Sequence, residues 1–156
     1  MDRLWSPWRY KYVSKSLPEG GCIFCLKASE DRDEENLLLH RGKHNFVLLN
    51  LFPYTNGHLM IAPYAHAATL NEAPAEALTE MIELAREAER RLMAAYKAPG
   101  MNLGMNVGEA AGAGIAGHIH LHVLPRWAAD SNFMTTIAET RVIPEDLHDT
   151  WLKLKF

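Results

Sequence analysis

Hydrophobic and polar residues alternate in short runs over most of the chain, and one long segment has helical spacing instead. The short runs are bounded by glycine, proline and asparagine, and they predict β-strands at 36–40, 45–51, 58–63, 102–107 and 118–124. The dipeptide Asn56-Gly57 separates the second run from the third. It favours a tight hairpin turn because both residues tolerate a positive backbone φ.

The helical segment lies between the third and fourth predicted strands, from residue 74 to about residue 96. Apolar residues recur there every three or four positions and form one face, made of Leu78, Met81, Ile82, Ala85, Ala88, Leu92 and Tyr96. Pro74 suits the first turn of a helix, and Pro99-Gly100 ends it. Short connections and a single long helix predict an α+β fold, with the helix packed on an antiparallel sheet of about five strands.

The length of 156 residues is typical of one domain with its own core. We expect residues 1–35 to form an irregular arm, 36–127 the core of sheet and helix, and 128–156 a C-terminal extension. Within the arm, the stretch that follows Leu26 is too polar for a buried helix, and 29–35 is typical of a charged loop.

Composition narrows the choice of partners and compartment. The apolar runs are too short to span a bilayer, and the N-terminal residues lack the apolar core of a secretion signal. We therefore expect a cytoplasmic protein without a membrane partner. The net charge of −3 provides no broad attraction for the phosphates of a nucleic acid polymer, although local groups could hold a small anion.

The sequence GHIHLHVLPRW, at 117–127, places three of the eight histidines at alternate positions. Successive residues of a strand point to opposite faces, so His118, His120 and His122 share one face and the intervening aliphatic residues point into the core. His118 and His122 would lie about 13 Å apart along such a strand, so the three imidazoles cannot easily converge on one metal ion. A solvated strand face is the simple alternative, but strict alternation makes chance clustering a poor explanation.

A glycine-rich loop at 108–117 directly precedes the histidines. Gly112, Gly114 and Gly117 let the backbone approach a ligand closely and point N–H groups at an anion. The loop differs from a P-loop because no Gly-Lys-Ser/Thr follows it. Backbone donors beside imidazoles suit phosphoryl transfer in which a histidine attacks phosphorus.

The two cysteines, Cys22 and Cys25, are separated by two residues. In a cytosolic chain this spacing favours metal or redox chemistry over a structural disulfide. The polar stretch that follows argues against the strand-to-helix context of a thioredoxin-like redox site. Metal binding and two ordinary free thiols both remain consistent with the spacing alone.

These features together resemble the histidine triad (HIT) family. Its motif is His-h-His-h-His-h-h, where h is a hydrophobic residue, and this chain has HIHLHVL at 118–124. The resemblance extends from Cys22 onward and includes NFVLLNLFPYTNGHLMIAP, the long helix and NVGEAAGAGIAGHIHLHVLPRW. The segments LWSPWRYKY and RWAADSNFMTTIAETRVIP resemble the branch that includes bacterial diadenosine tetraphosphate phosphorylases.

The resemblance implies a nucleotide site centred on His120, which would attack the α-phosphate and become nucleotidylated. His122 would bind the phosphate or the bridging oxygen and assist the leaving group. The remaining residues expected to bind or adjoin the substrate are Leu48 and Met60 at the base, Asn50 at the ribose, His58 near the triad, Asn106, Gly112 and Gly114 at the phosphates, and Trp127 in the phosphorylase-like segment.

The loop departs from the family pattern. Many members have glutamine or serine four residues before the first histidine, where this chain has Gly114, and the loop is one residue longer than in the best-known hydrolases. A hydrogen bond to a charged group is worth about 1.5–3 kcal/mol. Loss of that side chain would weaken the binding of a second phosphate, so we expect water to be the main acceptor.

The resemblance also implies a metal and a partner. Some members, and the related galactose-1-phosphate uridylyltransferases, bind structural zinc through two cysteines, a histidine and the first triad histidine. The corresponding residues here are Cys22, Cys25, His66 and His118, a donor set that suits a closed tetrahedral zinc site. Family members are usually dimers joined by the long helix and a strand, so a homodimer is expected.

The resemblance implies a nucleotidyl hydrolase or transferase that acts on phosphate esters, anhydrides or phosphoramidates of adenine or guanine nucleosides through a nucleotidyl-histidine. No organic cofactor is expected. One alternative is a diadenosine polyphosphate phosphorylase. Another is a zinc-stabilised nucleotide-binding module without turnover.

Overall fold

A computed structural model describes residues 21–128, 130 and 143–156 of the chain. In chain order the elements are helices α1 (Ile23–Ser29) and α2 (Asp33–Asn36), strands β1 (Leu38–Arg41), β2 (Asn45–Leu49) and β3 (Leu59–Pro63), helix α3 (Ala75–Tyr96), strand β4 (Gly100–Gly104), a 3₁₀ turn (Glu109–Ala111), strand β5 (Leu121–Arg126) and helix α4 (Leu147–Leu154). Within the described residues, the five strands form one antiparallel sheet in the order β1-β2-β3-β5-β4.

Helix α3 packs across one face of this sheet and forms the larger core. Its buried residues include Met81, Ala85, Ala88 and Leu92, which join aliphatic side chains from β2, β3 and β5. The predicted α+β fold and the predicted helix are confirmed. Ile82 is the exception on the predicted apolar face, because its side chain is 64% exposed.

The predicted hairpin joins β2 to β3. Gly57 has a φ of +74°, and a Cβ atom built there would lie 2.8 Å from a methyl group of Leu92. Both the backbone conformation and the close approach to α3 therefore require glycine at this position.

Helix α1 covers the other face of the sheet, so the prediction of an irregular arm is wrong for residues 23–29. Phe24 on this helix is 2% exposed and joins a second core cluster of Leu38, Phe46, Leu48, Met60 and Ala62. The polar residues after Leu26 do not prevent the helix, because one buried aromatic residue anchors it while the polar face stays in solvent. The predicted loop at 29–35 is also partly helical, since α2 begins at Asp33.

Strand boundaries differ from the predicted ones by several residues. Strand β4 ends at Gly104, and β5 begins only at Leu121, so His118 and His120 precede the strand. The backbone N–H of Ile119 donates to the carbonyl oxygen of Ala67 at 2.8 Å, which holds this segment outside the sheet ladder. Ile119, Leu121 and Val123 are nevertheless buried, as the alternation predicts.

Near the C-terminus, α4 packs against the sheet and α3. Trp151 is 8% exposed, and its indole N–H donates to the carbonyl oxygen of Leu38 at 2.6 Å. This helix lies within the predicted C-terminal extension and was not predicted as an element. Among the described residues, every helix is too short or too polar to cross a bilayer.

Candidate active site

Four histidines lie on the face of the sheet opposite to α3, namely His58, His118, His120 and His122. Leu121 and Val123 belong to the core beneath α3, so the alternation of β5 turns His122 to the other face. His122 pairs in register with Met60 of β3, and Met60 pairs with Leu48 of β2. The sheet thus places Leu48, Met60 and His122 in one row across three adjacent strands.

His120 has a defined orientation and a defined tautomer. Its Nδ1 lies 2.9 Å from the carbonyl oxygen of His118. A carbonyl oxygen can only accept a hydrogen bond, so we assign the ring proton to Nδ1 and a lone pair to Nε2. The ring is 5% exposed and lies between Phe24 and His122, whose ring centroids are each 4.8 Å away. A buried imidazole with a lone pair at Nε2 is suited to nucleophilic attack.

His58 and His122 form a directed pair next to His120. The backbone N–H of Tyr54 donates to Nδ1 of His58 at 3.1 Å, so the proton of a neutral His58 is on Nε2. That Nε2 lies 2.9 Å from Nδ1 of His122 and donates to it. The proton of a neutral His122 is therefore on Nε2, at the far side of its ring. Nε2 of His122 is therefore a hydrogen-bond donor, whereas Nε2 of His120 carries a lone pair.

Burial keeps these imidazoles neutral. Desolvation, together with the nearby His122 and His120, lowers the pKa of His58 to about 3. Desolvation and the nearby His120 lower the pKa of His122 to about 4. Desolvation also lowers the pKa of His120, against the opposing effect of its hydrogen bond to His118. Near neutral pH the tautomers above are therefore the ones that carry the chemistry.

Beyond His118, the two cysteines and His66 form a compact cluster. The four ligand atoms of Cys22, Cys25, His66 and His118 all lie within 4.8 Å of one another. Sulfur-to-nitrogen distances are 3.3 Å from Cys22 to His118, 3.4 Å from Cys25 to His66 and 3.6 Å from Cys25 to His118. A tetrahedron with zinc bonds of about 2.3 Å to sulfur and about 2.05 Å to nitrogen has edges of about 3.5 Å between them. The donor set and its spacing therefore fit a tetrahedral cation.

The orientation of His118 also suits a metal ligand. Its Nε2 lies 2.8 Å from the carbonyl oxygen of Pro63, so Nε2 carries the proton and the lone pair of Nδ1 points to the cysteines. A ligand histidine whose other nitrogen donates to a carbonyl is the usual arrangement around metals. The structure thus gives His118 different surroundings from those of the other two triad histidines.

Of the other predicted substrate-binding residues, Asn50 contacts one of the histidines. The side-chain oxygen of Asn50 accepts from the backbone N–H of Phe52 at 2.9 Å, and its amide nitrogen lies 3.4 Å from Nδ1 of His58. Asn106 follows β4 and is half-buried, while Gly112 and Gly114 are exposed in the loop. Gly112 has a φ of +85° and open space around its Cα.

Trp127 has a different environment. Its indole N–H donates to the carbonyl oxygen of Tyr96 at 3.3 Å, and the two rings meet edge to face with centroids 6.4 Å apart. Tyr96 is the last residue of α3, so the indole lies at the C-terminal end of that helix.

Two aromatic residues at the site were missed in the sequence. The ring of Tyr54 lies 4.6 Å from that of His58 and 6.1 Å from that of His122. Phe24 lies 5.2 Å from His118 in addition to its contact with His120. The sequence contained a usable signal for Phe24, because it lies between the two cysteines. Any arrangement that fixes Cys22 and Cys25 also fixes the side chain between them.

Comparison with known proteins agrees with this geometry. A family profile described as "HIT domain" matches residues 32–129. An "AP-4-A phosphorylase" of Mycobacterium tuberculosis is 36% identical over 157 aligned residues, which cover 96% of this chain and 80% of the relative. The yeast "Adenosine 5'-monophosphoramidase HNT1" of Saccharomyces cerevisiae is 30% identical over 74% of this chain and 69% of the relative.

Among solved structures, a crystal structure of a zinc-bound histidine triad family protein from Mycobacterium smegmatis superimposes with a TM-score of 0.72. It is 28% identical in sequence, and the match covers 86% of this chain and 91% of that one. The similarity therefore extends over most of the chain.

Proposed function

This chain belongs to the HIT domain family and is a nucleotide hydrolase or nucleotidyltransferase, and we propose that it acts through a covalent bond between His120 and the α-phosphate of its substrate. The observation that carries this proposal is the hydrogen bond from Nδ1 of His120 to the carbonyl oxygen of His118. That bond leaves the lone pair of Nε2 available in an imidazole that burial keeps neutral.

In the first step, Nε2 of His120 attacks phosphorus and the bond from phosphorus to the leaving group breaks. Nε2 of His122 donates a hydrogen bond to the leaving atom and stabilises the negative charge that develops there. In the second step, an acceptor oxygen attacks phosphorus, the phosphorus–nitrogen bond breaks, and the acceptor's proton is released to solvent. His58 maintains the required tautomer of His122, because it donates to Nδ1 of that ring.

The substrate occupies the face of the sheet that carries these histidines. Met60 is better placed than Leu48 to contact the base, because Met60 is 9% exposed and Leu48 only 1%. Asn50, adjacent to His58, binds the ribose. Asn106 and the backbone N–H groups of the loop with Gly112 and Gly114 bind the phosphates, and Trp127 contacts the more distant part of a dinucleotide.

The cysteine and histidine cluster holds structural zinc in this proposal. The sulfur and nitrogen atoms of Cys22, Cys25, His66 and His118 provide a closed set of four ligands, with no position left for a substrate. A zinc ion there would supply no catalytic chemistry. It would tie α1 to His118, whose carbonyl oxygen orients the nucleophile.

A second candidate function is phosphorolysis, in which inorganic phosphate replaces water as the acceptor. The observation that favours it is the 36% identity to the M. tuberculosis AP-4-A phosphorylase over nearly the whole chain. Gly114 opposes it, because glycine offers no side-chain hydroxyl to a second anion. Water therefore remains the acceptor that we propose first.

The chain also forms a homodimer in this proposal. Strand β4 is an edge strand of the sheet, and its Leu103 is 49% exposed. Ile82 and Met93 on α3 are 64% and 45% exposed. A second copy that pairs with the β4 edge would satisfy its open backbone groups and cover these apolar side chains.

One experiment tests the reaction and its acceptor together. The protein is incubated with diadenosine tetraphosphate, with and without millimolar phosphate, and the nucleotides are separated by chromatography. Hydrolysis at the α-phosphate releases AMP and ATP at any phosphate concentration. If phosphate instead raises the rate, and ADP appears in place of AMP among the products, the reaction is phosphorolysis and the hydrolase assignment is wrong. Nucleotide binding without any product in either arm would indicate the second alternative, a zinc-stabilised nucleotide-binding module without turnover.

A further inference from the structure

Phe24 links the metal cluster to the nucleophile. In sequence it lies between Cys22 and Cys25, and in space its ring contacts both His118 and His120. We infer that Phe24 is a positioning residue, which holds the His120 imidazole in its attacking orientation and makes that orientation depend on the metal cluster. This inference rests on the proposed role of His120 as the nucleophile.

His120 needs a side-chain contact to fix its ring. It precedes β5, which begins at Leu121, so strand pairing does not constrain its backbone. The hydrogen bond from Nδ1 to His118 restrains one corner of the imidazole and still allows the ring to swing about that corner. The edge of His122 limits the swing on one side, and the ring of Phe24, at 4.8 Å, limits it on another.

The cluster determines where Phe24 lies. Phe24 and the two cysteines occupy a single turn at the start of α1, with Cys22 as its N-terminal flanking residue. The sulfur atoms lie 3.3 Å from Nδ1 of His118 and 3.4 Å from Nδ1 of His66, so a shared cation would hold both ends of that turn. The aromatic ring between them would then be pressed against His120.

Ordinary core packing is the competing explanation, and the chain offers a matched control for it. Phe46 is 0% exposed and belongs to the same cluster as Phe24, with ring centroids 6.4 Å apart. The ring contacts of Phe46 are with Phe24 and Tyr64. Leucine at either position keeps a buried aliphatic side chain and removes one aromatic ring, so the two variants differ mainly in the contact to His120.

The experiment compares kcat and KM for F24L and F46L in the zinc-loaded protein. Misplacement of a reacting group by about 1 Å can cost up to roughly 100-fold, so we expect kcat of F24L to fall about ten- to a hundred-fold. KM of F24L should stay within about three-fold of the wild type, because the change removes no uniform substrate binding. The kcat of F46L should stay within the same range, because the ring of Phe46 contacts Phe24 and Tyr64 and leaves the contact between Phe24 and His120 in place. F24Y, which keeps the ring, should recover most of the lost rate.

A second readout is independent of turnover. The Nδ1 proton of His120, identified in ¹H–¹⁵N NMR spectra by its loss in H120N, should exchange slowly with water in the wild type and in F46L. We expect fast exchange in F24L and in wild-type protein from which zinc has been chelated. If F24L does not fold, F24M serves the same purpose, since it also removes the ring and preserves bulk.

Several results would overturn the inference. Equal losses of kcat in F24L and F46L would reduce Phe24 to a core residue, and a rise in KM alone would make it part of the substrate pocket. A slow Nδ1 proton that persists in folded, zinc-free protein would remove the link to the cluster. If the wild type has no turnover, the proposed function fails, while the exchange of the Nδ1 proton still decides whether Phe24 holds the ring.

Discussion

Two pairs of histidines flank His120, and they are built from the same side chain in different surroundings. On one side, His66 and His118 turn their Nδ1 atoms toward the sulfur atoms of the cysteines. On the other side, His58 donates to His122, and desolvation is the main cause of the low pKa of both rings. Soft donors next to one pair create a place for a cation, whereas burial of the other pair excludes charge.

The comparison also shows how single hydrogen bonds assign roles. A carbonyl oxygen at Nε2 of His118 leaves a lone pair at Nδ1, and a carbonyl oxygen at Nδ1 of His120 leaves a lone pair at Nε2. The N–H of His58 at Nδ1 of His122 leaves a proton at Nε2. Three neighbouring histidines therefore present a lone pair at Nδ1, a lone pair at Nε2 and a hydrogen-bond donor at Nε2, which fit the proposed roles of metal ligand, nucleophile and hydrogen-bond donor.

The largest effect is expected from loss of the group between the two pairs. H120N removes the lone pair that attacks phosphorus, and replacement of a catalytic nucleophile can cost roughly 10³- to 10⁶-fold in kcat. We expect no measurable turnover of diadenosine tetraphosphate by chromatography, while calorimetry still detects nucleotide binding. Turnover within ten-fold of the wild type would exclude the nucleotidyl-histidine.

Removal of the metal should lower the stability of the protein through the pair His66 and His118 alone. H66A removes a ligand, and H148A is its control, because the side chain of His148 is 54% exposed on α4. Zinc present at 100 to 1,000 times its Kd would contribute about 3–4 kcal/mol, which corresponds to a Tm difference of roughly 6–16 °C. We expect about one zinc per chain in the wild type and in H148A, and a lower zinc content and Tm in H66A.

Elemental analysis and thermal unfolding measure both quantities. A wild-type protein that has been purified without chelator and contains no zinc would contradict the metal site. Equal Tm values for H66A and H148A would show that the cluster does not stabilise the fold.

Acid should destabilise the protein through the pair His58 and His122. The folded-state pKa values of His58 and His122, about 3 and about 4, lie below the value of about 6.5 for an unfolded chain. Between these values the unfolded chain binds more protons, so the free energy of unfolding decreases as pH falls from about 6.5 toward 4. Each histidine contributes a slope of up to about 1.4 kcal/mol per pH unit in that window and none above it.

Denaturant unfolding at a series of pH values tests this. Among the residues that the structure describes, the groups that face His58 are Tyr54, Asn50, His122 and His120. None of them is a carboxylate, so the direction of the slope is unambiguous. H58L should flatten the slope between pH 6.5 and 4. The same slope in H58L as in the wild type would mean that His58 is not a buried imidazole with a lowered pKa.

The smallest effect is expected from the tautomer of His122. H58L removes the donor to Nδ1 of His122 and allows the ring to hold its proton on either nitrogen. Loss of one hydrogen bond of about 1–1.5 kcal/mol corresponds to a fall in kcat of about ten-fold. H58Q, which retains an N–H donor, should lose less. If H58Q and H58L lose the same rate, the N–H donor of residue 58 does not determine the tautomer.

Much of the fold could be predicted because it depends on local patterns. The helical spacing predicted α3 almost to the residue, and Asn56-Gly57 predicted the hairpin between β2 and β3. Helix α1 could not be predicted in the same way. Phe24 is its one fully buried side chain, with Ile23 and Ala28 partly buried, and so short a helix produces no clear periodicity.

The sequence by itself determined which residues can do chemistry: three alternating histidines, a glycine-rich loop, and the pair Cys22 and Cys25. Their roles depended on tertiary structure, because the tautomer of an imidazole is set by a partner that is distant in the chain or is a backbone atom. Pro63 lies 55 positions from His118, and His58 lies 64 positions from His122. Only folding brings those atoms within hydrogen-bond distance and removes the water around them, and the proposed roles of ligand, nucleophile and donor depend on both.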